Sequence, residues 1–139
     1  MTTIALIACA ASKLSHRAPA ADLYTSQLFR KSQAFARQTC NRWFILSAKH
    51  YLLRPEEIVA PYNKTLNTML RASRETWAGE VFAQLHPSLH SGDRITMLAG
   101  NRYREFLLPL LQREGYAVQV PLEGMRIGEQ LQWLKRHTS

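Results

Sequence analysis

The sequence predicts an α/β protein, a three-layer αβα sandwich built on a mainly parallel sheet of four or five strands. Three observations lead there. The run Ile4–Ala8 is apolar throughout, the mark of a strand buried on both faces, and residues 43–48, 94–99 and 116–122 repeat the theme downstream. Stretches of helical period separate these runs, and parallel neighbours need such crossovers. A chain of 139 residues is also the right size for one domain, taken here as residues 1–139.

The elements follow in order. After the first strand, residues 15–20 form a loop, and Asp22 is placed to cap a helix carrying Leu23, Tyr24, Leu28, Phe29 and Phe35 toward the core as far as Cys40-Asn41. Residues 43–48 are the second strand, which delivers Lys49, His50 and Tyr51. A turn begins at Leu52, and residues 60–66 read as a surface loop rich in recognition groups. Trp77, Val81, Phe82 and Leu85 recur at helical spacing within residues 71–85, and the Ser91-Gly92-Asp93 turn starts the next unit. A third strand follows at 94–99, then a helix from Arg102 to Arg113 that Asn101 can cap and that Pro109 should bend. Residues 116–122 are a fourth strand, and 127–135 a last short helix. Helical crossovers make all four strands parallel.

Composition narrows the function classes. Eighteen basic residues oppose ten acidic ones, a net charge of +8, and arginine supplies most of it, which favours a polyanionic partner, DNA or RNA. No apolar run is long enough to span a membrane and no signal-peptide pattern opens the chain, so a cytoplasmic protein is expected. Cys9 and Cys40 have no metal or disulfide spacing, and the five histidines form no ligand cluster; neither metal nor cofactor is expected.

Parallel strands end on one edge, and there the polar residues gather: Ser12 and Lys13 after the first strand, Lys49 and His50 after the second, Asn101 and Arg102 after the third, Glu123 after the fourth. Singly, each has a plain structural explanation as a turn or cap. Together they describe a pocket richer in donors than acceptors, suited to phosphates or base edges. No P-loop, dinucleotide fingerprint or nucleophile elbow is present. Cleavage of an N-glycosidic bond needs less: a carboxylate beside the cationic sugar, a donor to the departing base and a positioned water. Of ten carboxylates, Glu75, Glu80, Glu105 and Glu114 read as solvated helix residues and Asp93 as a turn residue, leaving Asp22, Glu57 and Glu123. Tyr24, Tyr62, Asn63 and Tyr103 are candidates for base capture.

Residues 6–14, 20–32, 43–57, 60–66 and 121–130 together resemble a family of short bacterial and phage proteins catalogued as domain of unknown function 6884, over nearly the whole chain. That resemblance implies kinship with the uracil-DNA-glycosylase-like superfamily, with domains attached to deazaguanine-modifying tRNA enzymes, and a role in removing modified bases from phage DNA. Matched residue by residue, it implies a pocket of Ser12-Lys13, Asp22, Tyr24, Ser26, Lys49-His50 and residues 61–65, including Tyr62, Asn63 and Lys64. Two positions depart from the family pattern. Tyr51 stands where relatives commonly have glycine, and Asn63 where they commonly have aspartate; an amide cannot serve as a carboxylate base.

The expected function is thus glycosylase-like cleavage of a modified nucleotide, with Asp22, Asn63 and His50 in catalytic positions. The alternatives are a nucleic-acid-binding protein without turnover, such as a phage-defence component, and a hydrolase of a small nucleotide.

Overall fold

The computed structural model describes residues 2–139. Among these residues seven strands and six α-helices follow in the order β1 (Thr3–Ala8), β2 (Ala18–Pro19), α1 (Ala20–Leu23), α2 (Gln27–Thr39), β3 (Arg42–Ser47), β4 (Tyr51–Leu53), β5 (Ile58–Val59), α3 (Arg71–Leu85), β6 (Arg94–Leu98), α4 (Asn101–Arg104), α5 (Leu107–Arg113), β7 (Ala117–Gln119) and α6 (Ile127–Arg136). The main sheet has five strands in the order β4-β3-β1-β6-β7, and β2 pairs with β5 in a small antiparallel ribbon. No described helix is long and apolar enough to cross a membrane.

The strand pattern does what its period demands. Ile4 and Leu6 of β1 point to one face and Ala5 and Ile7 to the other, and all four are buried. The first face, joined by Phe44, Leu46, Ile95 and Met97, packs on Trp77, Val81 and Leu85 of α3 and Leu107 and Leu111 of α5. The second packs on Phe29, Phe35 and Ala36 of α2 and Leu134 of α6. Helices on both faces give the three-layer arrangement expected from the sequence.

Four departures from the sequence expectations have identifiable causes. Residues 51–53, expected as a strand-end residue and a turn beginning at Leu52, form β4, paired antiparallel with the end of β3. The chain reverses over Ala48–His50, and Tyr51 enters the strand at φ 64°, the left-handed region that favours glycine. The helix expected from Asp22 to Cys40 is broken at Tyr24. Backbone pairing of residues 12–14 with 23–25 (Leu14 N to Leu23 O, 2.8 Å; Thr25 N to Ser12 O, 3.0 Å) holds that segment extended. Asp22 therefore lies inside the one-turn α1, and the cap of α2 is Ser26, whose Oγ accepts from Phe29 N at 3.1 Å. The helix expected over 102–113 is likewise two pieces. Pro109 has no N–H to give the Glu105 carbonyl and its ring crowds that carbonyl, so the helix is interrupted although Glu105 and Phe106 keep helical backbone; α5 restarts at Leu107 and Pro109 falls in its first turn, where no N–H is needed.

Two of the carboxylates set aside from the sequence have definite partners, and Asp93 keeps its turn position. Asp93 is buried, accepting from His90 N at 2.8 Å and Thr2 N at 3.4 Å. Glu105 is not a free solvated side chain: it accepts from Arg74 Nε at 2.7 Å and lies 3.6 Å from Arg102.

Replacing Ser26 by Ala removes the α2 cap and is expected to lower stability by about 1 kcal/mol, read from urea denaturation, with Ser26→Asp restoring most of the loss.

Candidate functional site

The strand order places a topological switch beside β1, because the chain passes from β1 to β3 on one side and later returns to β6 on the other. A cleft of ≈ 470 Å³ opens there, beyond the carboxyl ends of β1 and β6. Ile7 to Ala10 form one wall and residues 98–104 the other, while the first turns of α2 bring Ser26 and Phe29. Asn67, Leu122 and Gln130 complete it.

The polar groups on this cleft are mostly donors. Arg104 donates to Ala99 O at 2.8 Å and stands 3.6 Å from Glu123, so its guanidinium is oriented from two sides. Arg102 is tied to Glu105, which Arg74 in turn grips; that hydrogen bond, with both arginines nearby, holds the Glu105 carboxyl below its ordinary pKa. Asn101, Asn67 and Gln130 add amides. Among the described residues lining the cleft there is no Asp or Glu.

Behind the cleft lies a hydroxyl network. Tyr24 and Tyr62 share a 2.6 Å hydrogen bond, and Tyr62 bonds Ser47 Oγ at 2.7 Å. Ser47 also accepts from His50 N at 3.0 Å, while its carbonyl takes the indole N–H of Trp77 at 2.9 Å. Each of the three hydroxyls can donate or accept, so the two hydroxyl–hydroxyl bonds run as one chain through Tyr62. Lys13 places its ammonium 4.4 Å from the Tyr62 ring centroid and 5.7 Å from that of Tyr24, and the His50 ring meets Tyr62 edge-on at 5.3 Å.

Burial sets the protonation of the cluster. It pushes the Tyr24 pKa up to about 12 and raises those of Tyr62 and Tyr103 above their ordinary value, keeping the phenols neutral donors. Burial lowers the pKa of Lys13 against the opposing pull of Cys9, and burial with the nearby Lys49 lowers that of His50. Cleft and network meet at Phe29, which lines the cleft with its ring 4.9 Å from that of Tyr24. Within the cleft lining, Cys9 Sγ lies 3.4 Å from the Tyr103 hydroxyl.

The model of the Family of unknown function (DUF6884) matches residues 4–136. The chain belongs to that family. It is also similar to the uncharacterized protein YfjM of Bacillus subtilis (strain 168), 30% identical over 145 residues that cover 98% of this chain and 95% of the relative.

In this DUF6884 member the residues singled out from the sequence fall into three groups. Ser26, Asn101 and Arg102 line the cleft, and Glu123 touches it through Arg104. Lys13, Tyr24, His50 and Tyr62 assemble in the network. Asp22, Asn63, Ser12 and Lys49 are exposed and do not line the cleft, and Lys64 lines a separate depression. Sequence reasoning missed Ser47, Asn67, Arg104 and Gln130. For Ser47 a signal existed, since it is the lone polar residue between Trp43 and Ala48. Gln130, on α6, carries none, because only the fold brings that helix to the cleft.

The raised phenols have a pH signature. A Tyr24 pKa above its unfolded value of 10.0 contributes stability that is complete below pH 10.0 and disappears as pH climbs through about 12. Thermal midpoints are expected to fall steeply across that window, and less steeply in Tyr24→Phe; identical slopes in the two proteins would count against the assignment.

Proposed function

We propose that this protein processes a nucleotide unit of a nucleic acid, removing a modified base by hydrolysis of its N-glycosidic bond. The observation that carries this reading is the cleft at the sheet's switch point, lined by Arg102, Arg104, Asn101 and Gln130 without a carboxylate among its described lining. Such a lining suits a ligand that is anionic and rich in acceptors. The volume lies in the range of small-molecule sites. The net charge of +8 supports a polyanion as the source of that unit.

In the proposed step water adds to the sugar C1′, the C1′–N bond breaks with its electron pair leaving on the base, and the proton shed by the water is returned to the base through solvent, giving a C1′ hydroxyl and the free base. Negative charge develops on the base and positive charge on the sugar, so donors belong on the base and an anion beside the sugar. The cleft amides and arginines meet the first need. Glu123, beside Arg104, is the carboxylate at the cleft's edge for the second. Asp22 and Asn63, outside the lining, do not touch the reacting atoms in this scheme. The likeness to the uracil-DNA-glycosylase-like superfamily implied by the sequence points to the same chemistry. Binding without turnover is the second reading, favoured by the absence of a lining carboxylate among the described residues.

Incubation with modified and unmodified DNA and RNA, followed by mass spectrometry of released bases and abasic sites, separates the two. Release from a modified substrate is expected, lowered about 10-fold or more by Arg104→Gln. No release from any substrate, with tight and salt-sensitive binding retained, decides for binding alone.

A further inference from the structure

A second depression, of ≈ 380 Å³, adjoins the cleft. Tyr51, Lys64, Met69 and Trp77 line it, with no carboxylate among the described residues. The two hollows share one partition. Residues 64–69 run along its top, with Asn67 on the cleft side and Lys64 and Met69 on the other. Tyr103 of the cleft and Trp77 of the depression meet edge-to-face beneath it, ring centroids 5.6 Å apart.

Two features of this depression point to a ligand of the same chemistry as the cleft's. Tyr51 is 36% exposed and holds the left-handed backbone of φ 64°, a conformation that costs an L-residue of its size about 1–2 kcal/mol. A bulky ring at a glycine-favouring position, displayed to solvent, is not explained by core packing. Strain of this kind gathers at binding sites. Lys64 is exposed and pairs with no carboxylate among the described residues. An aromatic face with a free ammonium beside it is the pairing that holds single-stranded nucleic acid, ring against base and cation against phosphate.

We propose that this depression is a second nucleotide subsite: the cleft takes one unit of a single strand, and Tyr51 and Lys64 take the base and phosphate of its neighbour. The proposal rests on the cleft reading above and deepens it, naming a strand of DNA or RNA rather than a free nucleotide as the substrate. The strand crosses the partition at Asn67.

The test is affinity as a function of length. A nucleoside monophosphate and single-stranded DNA and RNA oligonucleotides of increasing length are titrated against the protein, Tyr51→Gly, Tyr51→Phe and Lys64→Ala. The oligonucleotides are expected to bind more tightly than the monophosphate. Tyr51→Gly should remove about 10-fold of that gain while leaving monophosphate binding unchanged, and Tyr51→Phe should retain it. Because glycine suits φ 64°, loss of folding does not account for the effect. Lys64→Ala should reduce the slope of log affinity against log salt by about 0.7. Monophosphate binding with no gain from length, or a gain that survives Tyr51→Gly, overturns the subsite and leaves the cleft standing. Failure of monophosphate and oligonucleotides alike to bind overturns both.

Discussion

The site depends on the parallel pairing of β1 between β3 and β6. Leu6 lies opposite Phe44 on one side and Met97 on the other, and Ile7 opposite Ile45 and Leu98. Successive side chains of a strand face opposite ways, so a slip of one residue would turn the whole apolar set of β1 to the wrong helices. The register is therefore set by burial on two faces at once. It also sets the cleft, because the ladder continues past the last strand residue: Cys9 N donates to Leu46 O at 2.9 Å. Cys9 is held at the mouth of the cleft by the same interaction that aligns the core.

The hydroxyl network follows from where β3 stops being hydrophobic. Ser47 is completely buried, and a buried hydroxyl requires partners. It finds them in Tyr62, in His50 N and, through its backbone, in Trp77. One residue thus ties together the hairpin to β4, helix α3 and the segment that carries Tyr62. No buried side-chain N or O among the described residues lacks a hydrogen-bond partner, so every buried oxygen of this cluster is bonded. A network in that state rigidifies its surroundings. The aromatic walls of the cleft and of the adjoining depression therefore rest on a rigid base.

Much of this was legible in the chain. The apolar runs at Ile4–Ala8 and residues 43–48 identify both-face-buried strands, and the trailing Lys13 and His50 do reach one neighbourhood, on either side of Tyr62. What stayed hidden was hidden for physical reasons. Tyr51–Leu53 is too short for its period to be seen and exists because β3 offers an edge. The break at Tyr24 comes from pairing with residues 12–14, a tertiary contact that overrides helix propensity. Glu105 looked solvated because its partner Arg74 lies 31 positions away in the chain, on another helix. Asp22 looked like a cap because local rules place an acidic residue there, whereas the helix that needed one begins at Gln27.

The same contrast separates the two kinds of residue singled out at the strand ends. Tyr24 and Tyr62 are joined by a short hydrogen bond and have their ionisation altered by burial, whereas Asp22 and Asn63 stand exposed. Asp22 and Asn63 lie outside the lining, whereas Glu123, though also exposed, stands 3.6 Å from the lining Arg104. The difference between asparagine and aspartate at position 63 therefore bears less on the chemistry of the cleft than its place beside Tyr62 and Lys64 suggests. In the proposed reading, the groups that meet a nucleotide are those the fold orients on the cleft. Arg104 is the clearest of them, its guanidinium positioned by the Ala99 carbonyl on one side and Glu123 on the other.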